Sequence, residues 1–581
     1  MVSTLPPGAL RKFYKIMFQP TLQFGKRFYY CLLISFLTLF FSCKQAVHYD
    51  ILIQNAMIYD GNGDEPYMGS IAITGDTIAA IGKIENAEAN EVIDAGGMAV
   101  APGFTNMLIW AVVSLIQDGR SQSDIRQGVT LEVMGEGESM GPLNPRMKAQ
   151  LIKSQGDIKY PVNWNTLGEY LQSLEKKGIS TNVASFVGAT TIRDYVIGED
   201  NRKPTPAEMD SMRFLVRQAM EEGALGVGTS LIYPPAFFAS TEELTALCTE
   251  AGKYGGSYIS HMRSEGNKLN EAVDELIRIA RDAKVHAEIY HLKAAGKSNW
   301  YKMDSVIKQV EKARAAGIDV TADMYTYEAG ATGLTSAFPP SLQDGGFGKL
   351  RERLMDPAIR AKMKKAMNED AQDWENLYYG AGSADRVLLL GFKQDSLKKY
   401  NGKSLGEVAA LRGTSPEETA MDLIVQDSTR VEVAYFLMTE DNIRKQIVLP
   451  WVSFGSDAGS YTNEGVFLKS SAHPRAYGNF ARVIGKYVRD EKLLSLQQAI
   501  YKLAKLPAVN LKLEKRGELK VGYYADVIIF DPAKVKDQAS YDKPHQYSLG
   551  MIHVFVNGIQ VLKNNVHTGA TPGRFVKKVK M

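Results

Sequence analysis

The chain has 581 residues, 45% of them hydrophobic and 23% charged, with 51 glycines, enough for one barrel of about 250 to 400 residues plus a satellite domain. Its 68 basic and 65 acidic residues leave a net charge of +3 with no long run of one sign, which argues against a nucleic-acid footprint and against disorder. Three cysteines, Cys31, Cys43 and Cys248, are too few and too scattered for a disulfide framework.

In chain order, the first feature is a targeting segment. After Lys26-Arg27 an apolar run from Phe28 to Phe41 is too short to span a bilayer and ends at Ser42-Cys43, the pattern of a cleaved secretory signal. The Phe-Ser-Cys ending resembles a bacterial lipoprotein signal, with Phe40 where leucine is more usual. That resemblance implies a lipidated Cys43 and an exported, membrane-anchored envelope protein, two acyl signals giving stable anchoring. An uncleaved anchor helix or a simple secretion signal are the alternatives. The stretch before Lys26 is long for such a signal, so Met17 is a candidate start.

Residues 49 to 103 then alternate short β-type runs, such as Asp50-Ile51-Leu52-Ile53 and Ser70-Ile71-Ala72-Ile73, with turns such as Asp60-Gly61-Asn62-Gly63. Similar runs return at Gly522 to Pro532 and His553 to Gly558. The expected α/β architecture is a (β/α)8 TIM-like barrel over 104–510, inserted in a small β-sandwich domain built from 44–103 and 511–581. Inside the insertion, Ser257 to Ser260 is a strand-like run ending at His261, and Val285 to Tyr290 another ending at His291. Between them Ala272, Leu276, Ile279, Ala280 and Ala283 repeat at helical spacing. A further unit runs through a helix from Val306 to Ala316 and a strand from Ile318 to Ala322, ending at Asp323. Strand ends carrying His, His and Asp one unit apart suit a parallel barrel, whose functional residues gather at the C-terminal rim. Strands near 100, 130, 182, 225, 257, 286, 318 and 452 complete the ring. A helical excursion around 338–450 is expected over its mouth, and Lys577, Lys578 and Lys580 read as a solvated tail.

The run Ala101-Pro102-Gly103-Phe104-Thr105-Asn106-Met107-Leu108-Ile109-Trp110 resembles the first barrel strand of an amidohydrolase. So, in order, do Gln127-Gly128-Val129-Thr130, Glu221-Glu222-Gly223-Ala224-Leu225-Gly226, Ser260-His261-Met262-Arg263-Ser264-Glu265-Gly266, His291-Leu292-Lys293-Ala294-Ala295-Gly296, Asp319-Val320-Thr321-Ala322-Asp323, Ser456-Asp457 and His473-Pro474-Arg475. The chain resembles the N-acyl-D-amino-acid deacylase (D-aminoacylase) branch of the amidohydrolase superfamily from Tyr49 to Gly573. It departs from that pattern at Leu108 and Trp110, which stand where the superfamily carries two metal-binding histidines. Even spacing assigns Asn106, Leu108 and Trp110 to one strand face.

Amide hydrolysis needs a polarised carbonyl, an ionised water and a proton for the departing amine, and a divalent ion such as Zn²⁺ supplies the first two. His261 and His291 end neighbouring strands and can face one ion. The resemblance implies a cysteine ligand at the end of the second strand, where this chain has Val133-Met134-Gly135-Glu136-Gly137-Glu138-Ser139. Glu136 is the candidate substitute, with Glu132 and Glu138 left open. One Zn²⁺ or other divalent metal per chain is therefore expected, with the second metal absent. Asp457 is the candidate general acid/base by resemblance. Lys293, Arg475, Tyr325 and Tyr327 are candidates for holding a substrate carboxylate. His286 is assigned to the opposite strand face, and His48, His545, His553 and His567 receive no catalytic role. Val187-Gly188-Ala189-Thr190 lacks the histidine that relatives often carry after the glycine.

These readings imply a hydrolase of carbon–nitrogen bonds acting on N-acyl-D-amino acids or D-residue-containing peptides. The implied partners are a small N-acyl amino acid or short peptide and, through the lipid, a membrane. A non-catalytic binding relative, and a cyclic-amide hydrolase or deaminase of the same superfamily, are the alternatives.

Overall fold

The computed structural model describes residues 47–578; the leader, Cys31, Cys43 and Lys580 lie outside them. The N-terminal strands are β1 (Val47–Ile58), β2 (Tyr67–Thr74), β3 (Thr77–Gly82), β4 (Ala87–Asp94) and β5 (Ala99–Pro102). The next strands are β6 (Phe104–Asn106), β7 (Val129–Met134), β8 (Asn182–Ser185), β9 (Val187–Gly188), β10 (Gly226–Ser230), β11 (Ser257–His261), β12 (Ala287–Ile289) and β13 (Val320–Met324). After β14 (Ala329–Gly333), β15 (Val387–Gly391) and β16 (Glu432–Phe436) comes β17 (Val452–Phe454).

Strands β6, β7 and β8 pair in parallel, and so do β9, β10, β11, β12, β13 and β17 in that spatial order. Backbone hydrogen bonds close the two groups into one ring. Met107 N–H donates to Phe454 O at 3.1 Å and Trp110 N–H to Ala458 O at 2.8 Å, joining β6 to β17, while Leu225 N–H donates to Ser185 O at 2.9 Å. With β8 and β9 continuous across Phe186, this is the eight-stave parallel barrel the strand spacing predicts. Its lumen is filled by Leu108, Leu131, Val133, Phe186, Ile259 and Tyr290, a packed interior rather than a pore.

Crossover helices follow the periodicity of the sequence. Leu269–Ala283 buries Ala272, Leu276, Ile279, Ala280 and Ala283 on one stripe, and Met303–Ala315 packs outside the next stave. The excursion is less helical than expected. Its strands β15 and β16 join β14, which precedes it, in a three-stranded antiparallel sheet, because Val387 to Gly391 and Val433 to Phe436 are short, mostly apolar runs that pair side by side. A separate core containing Leu334, Phe338, Leu389, Val433 and Tyr435 holds this excursion together.

The last strands, β18 (Val527–Phe530), β19 (Met551–Val556), β20 (Ile559–Lys563) and β21 (Val566–His567), join β1–β5 in one nine-stranded sheet, with β18 antiparallel to β5. Ile53, Ile73 and Ile78 from one end of the chain share a core with Val527, Ile529 and Phe555 from the other. The solvated-tail expectation fails at Lys578: its side chain is buried and donates to Leu511 O at 3.1 Å. That carbonyl accepts one of the three ammonium N–H bonds, and the stem packs on protein.

Candidate metal centre and active-site cavity

Local geometry at the ends of three staves brings the candidate ligands together. Gly135 (φ +105°) and Gly137 (φ +69°) flank Glu136 in left-handed backbone, and a Cβ on either would lie 2.2 Å from Phe186 O or 2.4 Å from Ser230 Oγ. Only glycine permits so close a passage, and it turns the Glu136 carboxylate inward. His261 is the last residue of β11. His291 lies in the turn after β12 with φ +35°, held there by Asp323, whose Oδ1 accepts the His291 N–H at 2.8 Å. Asp457 also has positive φ, +50°. Such non-glycine conformations cost on the order of 1–3 kcal/mol each and concentrate where function constrains the backbone.

Glu136 Oε1 lies 3.1 Å from His261 Nδ1 and 3.0 Å from His291 Nε2, and the two imidazole rings are 4.6 Å apart, nearly perpendicular. Among the described residues these three form the one group of three or more potential ligands close enough to share an ion, and all are buried. The set fits a divalent cation. Donors around a tetrahedral Zn²⁺ at about 2.0–2.2 Å stand roughly 3.3 Å from one another, close to the carboxylate-to-imidazole spacings here. His261 Nε2 is buried without a hydrogen-bond partner, which leaves that ring free to settle its tautomer on binding. Glu132, by contrast, is buried beside Asp124 and outside this group, and Glu138 lines the cavity without joining the cluster.

Electrostatics tie the cluster together. Burial pushes the Glu136 carboxyl up, but His291 and His261 more than offset it and hold it well below the ordinary carboxylate range. Burial and the Lys293 ammonium push His291 down; Glu265 and Glu136 outweigh both, so its imidazolium is raised to about 10. Binding of a cation to these groups requires them in their deprotonated forms, which couples metal affinity to pH.

Glu265 has no role in the sequence reading, and Trp110 stands there only as a departure, yet both contact this cluster. Glu265, four residues past His261, sets Oε1 3.0 Å from His291 Nδ1 and 2.6 Å from Lys293 Nζ, with Oε2 3.6 Å from His261 Nε2. A carboxylate behind an imidazole fixes ring orientation and basicity. Trp110, the residue in a histidine's stead, donates its indole N–H to Glu136 Oε2 at 2.9 Å, leaving Oε1 to the histidines. The expected shared face of Asn106, Leu108 and Trp110 does not form. β6 ends at Asn106, whose amide bonds Asp124 and Ser456; Leu108 is packed in the barrel lumen, and Trp110 turns into the cavity. Alternation holds only while the chain stays extended.

A cavity of about 640 Å³ opens over the cluster and is lined by Glu136, His261, His291 and Lys293 together with Asp457 and Arg475. Asp457 Oδ2 is 2.9 Å from Arg475 Nη2, and the same guanidinium bonds the Asp457 carbonyl. Burial pushes the Asp457 carboxyl up, partly opposed by Arg475. Arg475 stacks 4.4 Å over the Tyr325 ring; its Nε and Nη1 and the Tyr325 hydroxyl lack partners in hydrogen-bonding geometry. Tyr327 is corrected: it is not in the cavity wall, its hydroxyl facing Asp537 and its ring covering Arg482. Lys293 reaches the cavity from irregular backbone past β12 rather than from an extended strand. His286 is buried away from the cavity, with Nδ1 3.1 Å from Asp319. His545, from the C-terminal segment, does reach the cavity wall and bonds Ser470 O at 2.9 Å.

An eight-stave barrel with a rim cluster of imidazoles and carboxylates is the architecture of a metal-dependent hydrolase class, and the comparisons agree with it. Residues 91–562 match the model of an amidohydrolase family, and the chain belongs to that family. It is 31% identical over 538 residues to the D-aminoacylase of Alcaligenes xylosoxydans xylosoxydans, spanning 91% of this chain and 98% of that relative. The N-acyl-D-glutamate deacylase of the same organism is 30% identical over 531 residues, 91% of this chain and 96% of its own. Among solved structures, the N-acyl-D-glutamate deacylase from Bordetella bronchiseptica, complexed with zinc and a phosphonate mimic of the tetrahedral intermediate, superposes with TM-score 0.76 at 26% identity, over 91% of this chain and all of that one. A D-aminoacylase described in terms of one-metal activation and second-metal attenuation of a binuclear centre gives TM-score 0.75 at 29% identity over the same shares.

Proposed function

We propose that this chain is a metal-dependent amide hydrolase that removes the acyl group from N-acyl-D-amino acids or related D-residue-containing peptides, with one divalent cation per chain. The observation that carries the reading is the buried Glu136, His261 and His291 donor set at the floor of the cavity that Asp457 and Arg475 also line. The relatives' activities supply the substrate class. A single cation is favoured because Leu108 offers no donor atom and the indole of Trp110 is a donor only, already given to Glu136.

A divalent cation, when bound, supplies Lewis acidity that polarises an amide carbonyl and acidifies water. The chain's own groups do the rest. Asp457 accepts a proton from the attacking water and returns it to the departing amine, its carboxylate kept in place by Arg475 at 2.9 Å. Glu265 orients His291. The unpartnered Arg475 nitrogens and the Tyr325 hydroxyl suit the carboxylate of an amino-acid substrate, and Lys293, with one N–H donor directed at Glu265 at 2.6 Å, has further donors to offer.

The test is a panel of N-acyl-D-amino acids, their L-enantiomers and cyclic ureides assayed with the zinc-loaded protein. Turnover of the D-series alone is expected; turnover of ureides alone, or of nothing, overturns the reading. The proposal includes export and lipid anchoring at Cys43, supported by the leader's sequence pattern. Cys43→Ser is expected to move the protein from the membrane fraction to the soluble one, and unchanged membrane association would refute the anchor.

A further inference from the structure

A second cavity, of about 430 Å³, adjoins the first. Trp110, Glu138, Thr190, Tyr233, Pro234 and Arg430 belong to both, so the two chambers meet at a common wall beside Glu136. Beyond that wall the second chamber is walled by Met140, Leu143, Met147, Leu151, Phe338 and Leu350. Met147 and Leu151 sit four residues apart on one face of the helix Pro145–Ser154. Proline at its first position and the Asn144 side chain, accepting the Met147 N–H at 3.0 Å, fix the start of that helix.

Of the acids that line the second chamber, Glu138 stands at the common wall and three others lie beyond it. Asp194 is paired with Arg146 at 2.8 Å. Burial raises Glu199, and raises Glu375 to about 8, so the Glu375 carboxyl is mostly neutral near pH 7. Arg430 stays at the common wall, 5.1 Å over the Tyr233 ring and bonded to Thr332 Oγ1 at 3.2 Å. Arg475 and Lys293 face the first chamber only, and the second offers an occupant the apolar side chains of Met140, Leu143, Met147, Leu151, Phe338 and Leu350 beside polar groups such as Gln150, Ser336 and Gln343.

We propose that the second chamber is an acyl-chain subsite, which makes the chain's substrates N-acyl amino acids with a medium or long unbranched alkyl acyl group. The inference rests on the deacylase reading above. With the carboxylate end in the first chamber and the scissile amide over the Glu136 cluster, the acyl tail has the common wall to cross and an apolar chamber to fill. Its volume lies within the range of about 300–1,000 Å³ usual for small-molecule sites, and an alkyl chain asks for no hydrogen-bond partner there.

The experiment is a chain-length series of N-acyl-D-alanines, from acetyl to dodecanoyl, with calorimetric titration of the matching free fatty acids into the same zinc-loaded protein. Both kcat/KM and affinity are expected to rise about fourfold per added methylene until the chamber is full. Met147→Trp, or Leu151→Phe should that variant misfold, is expected to flatten the rise while leaving the acetyl substrate unchanged. A hydrolysed series with no dependence on length, or a variant that weakens acetyl and dodecanoyl substrates equally, overturns the proposal. Fatty-acid affinity that climbs with length while no N-acyl-D-alanine is hydrolysed would support the subsite and sink the deacylase reading instead.

Discussion

Glu265→Gln separates a positioning role from mere packing. The native carboxylate is 5% exposed, with Lys293 Nζ at 2.6 Å and His291 Nδ1 at 3.0 Å. Burial pushes it up, but His261, Lys293 and His291 hold it well below the ordinary range. The amide has the same shape yet lacks the charge, so two charge-assisted contacts weaken, each about 1.5–3 kcal/mol in a buried setting. If Glu265 orients His291 and raises its basicity, metal affinity falls by about 10- to 100-fold, equivalent to about 1.4–2.7 kcal/mol. Competition with a chromophoric chelator reads the affinity, and thermal unfolding of metal-free protein reads the structural loss separately. The reasoning is refuted if the variant folds, loses stability without metal, and still binds zinc as tightly as the parent.

Asp457→Asn is expected to lower turnover by about 10²- to 10⁴-fold with metal content unchanged, checked by steady-state kinetics beside metal analysis; turnover near the parent level would remove Asp457 from the chemistry. Lys502 is buried, donates to the Leu449 carbonyl, and has its ammonium lowered by burial to about 7 from 10.5. Between those two values the unfolded chain holds one more proton, so stability rises with pH by about 1.4 kcal/mol per unit through that window, and the penalty is complete below pH 7. Lys502→Met should therefore stabilise most below pH 7, its advantage shrinking as pH rises towards 10.5; a pH-independent difference in denaturant titrations would contradict this.

The barrel was legible because its signal is local and repeated. The strand runs ending at His261 and His291, and the helical stripe from Ala272 to Ala283, each declare their own period. Residues whose contacts depend on backbone that leaves the strand were not legible. Parity assigned Asn106, Leu108 and Trp110 to one face, but the chain turns after Asn106 and sends the three side chains to different places. Tyr325 and Tyr327 both follow Asp323 in sequence, yet only Tyr325 lines the cavity, and the Tyr327 hydroxyl faces Asp537. Nothing in the spacing of Glu265 shows that the loop after β11 folds back onto both histidines. The small sheet β14–β16 was hidden because short apolar runs between helices carry no period of their own.

Metal counting on purified protein tests the central claim most directly. Elemental analysis of the zinc-loaded chain should give about one divalent ion per chain, with His261→Ala folded but metal-free, as a single Glu–His–His donor set requires. Two ions per chain, or an unmetalled chain that hydrolyses its substrate at the full rate, would contradict the account.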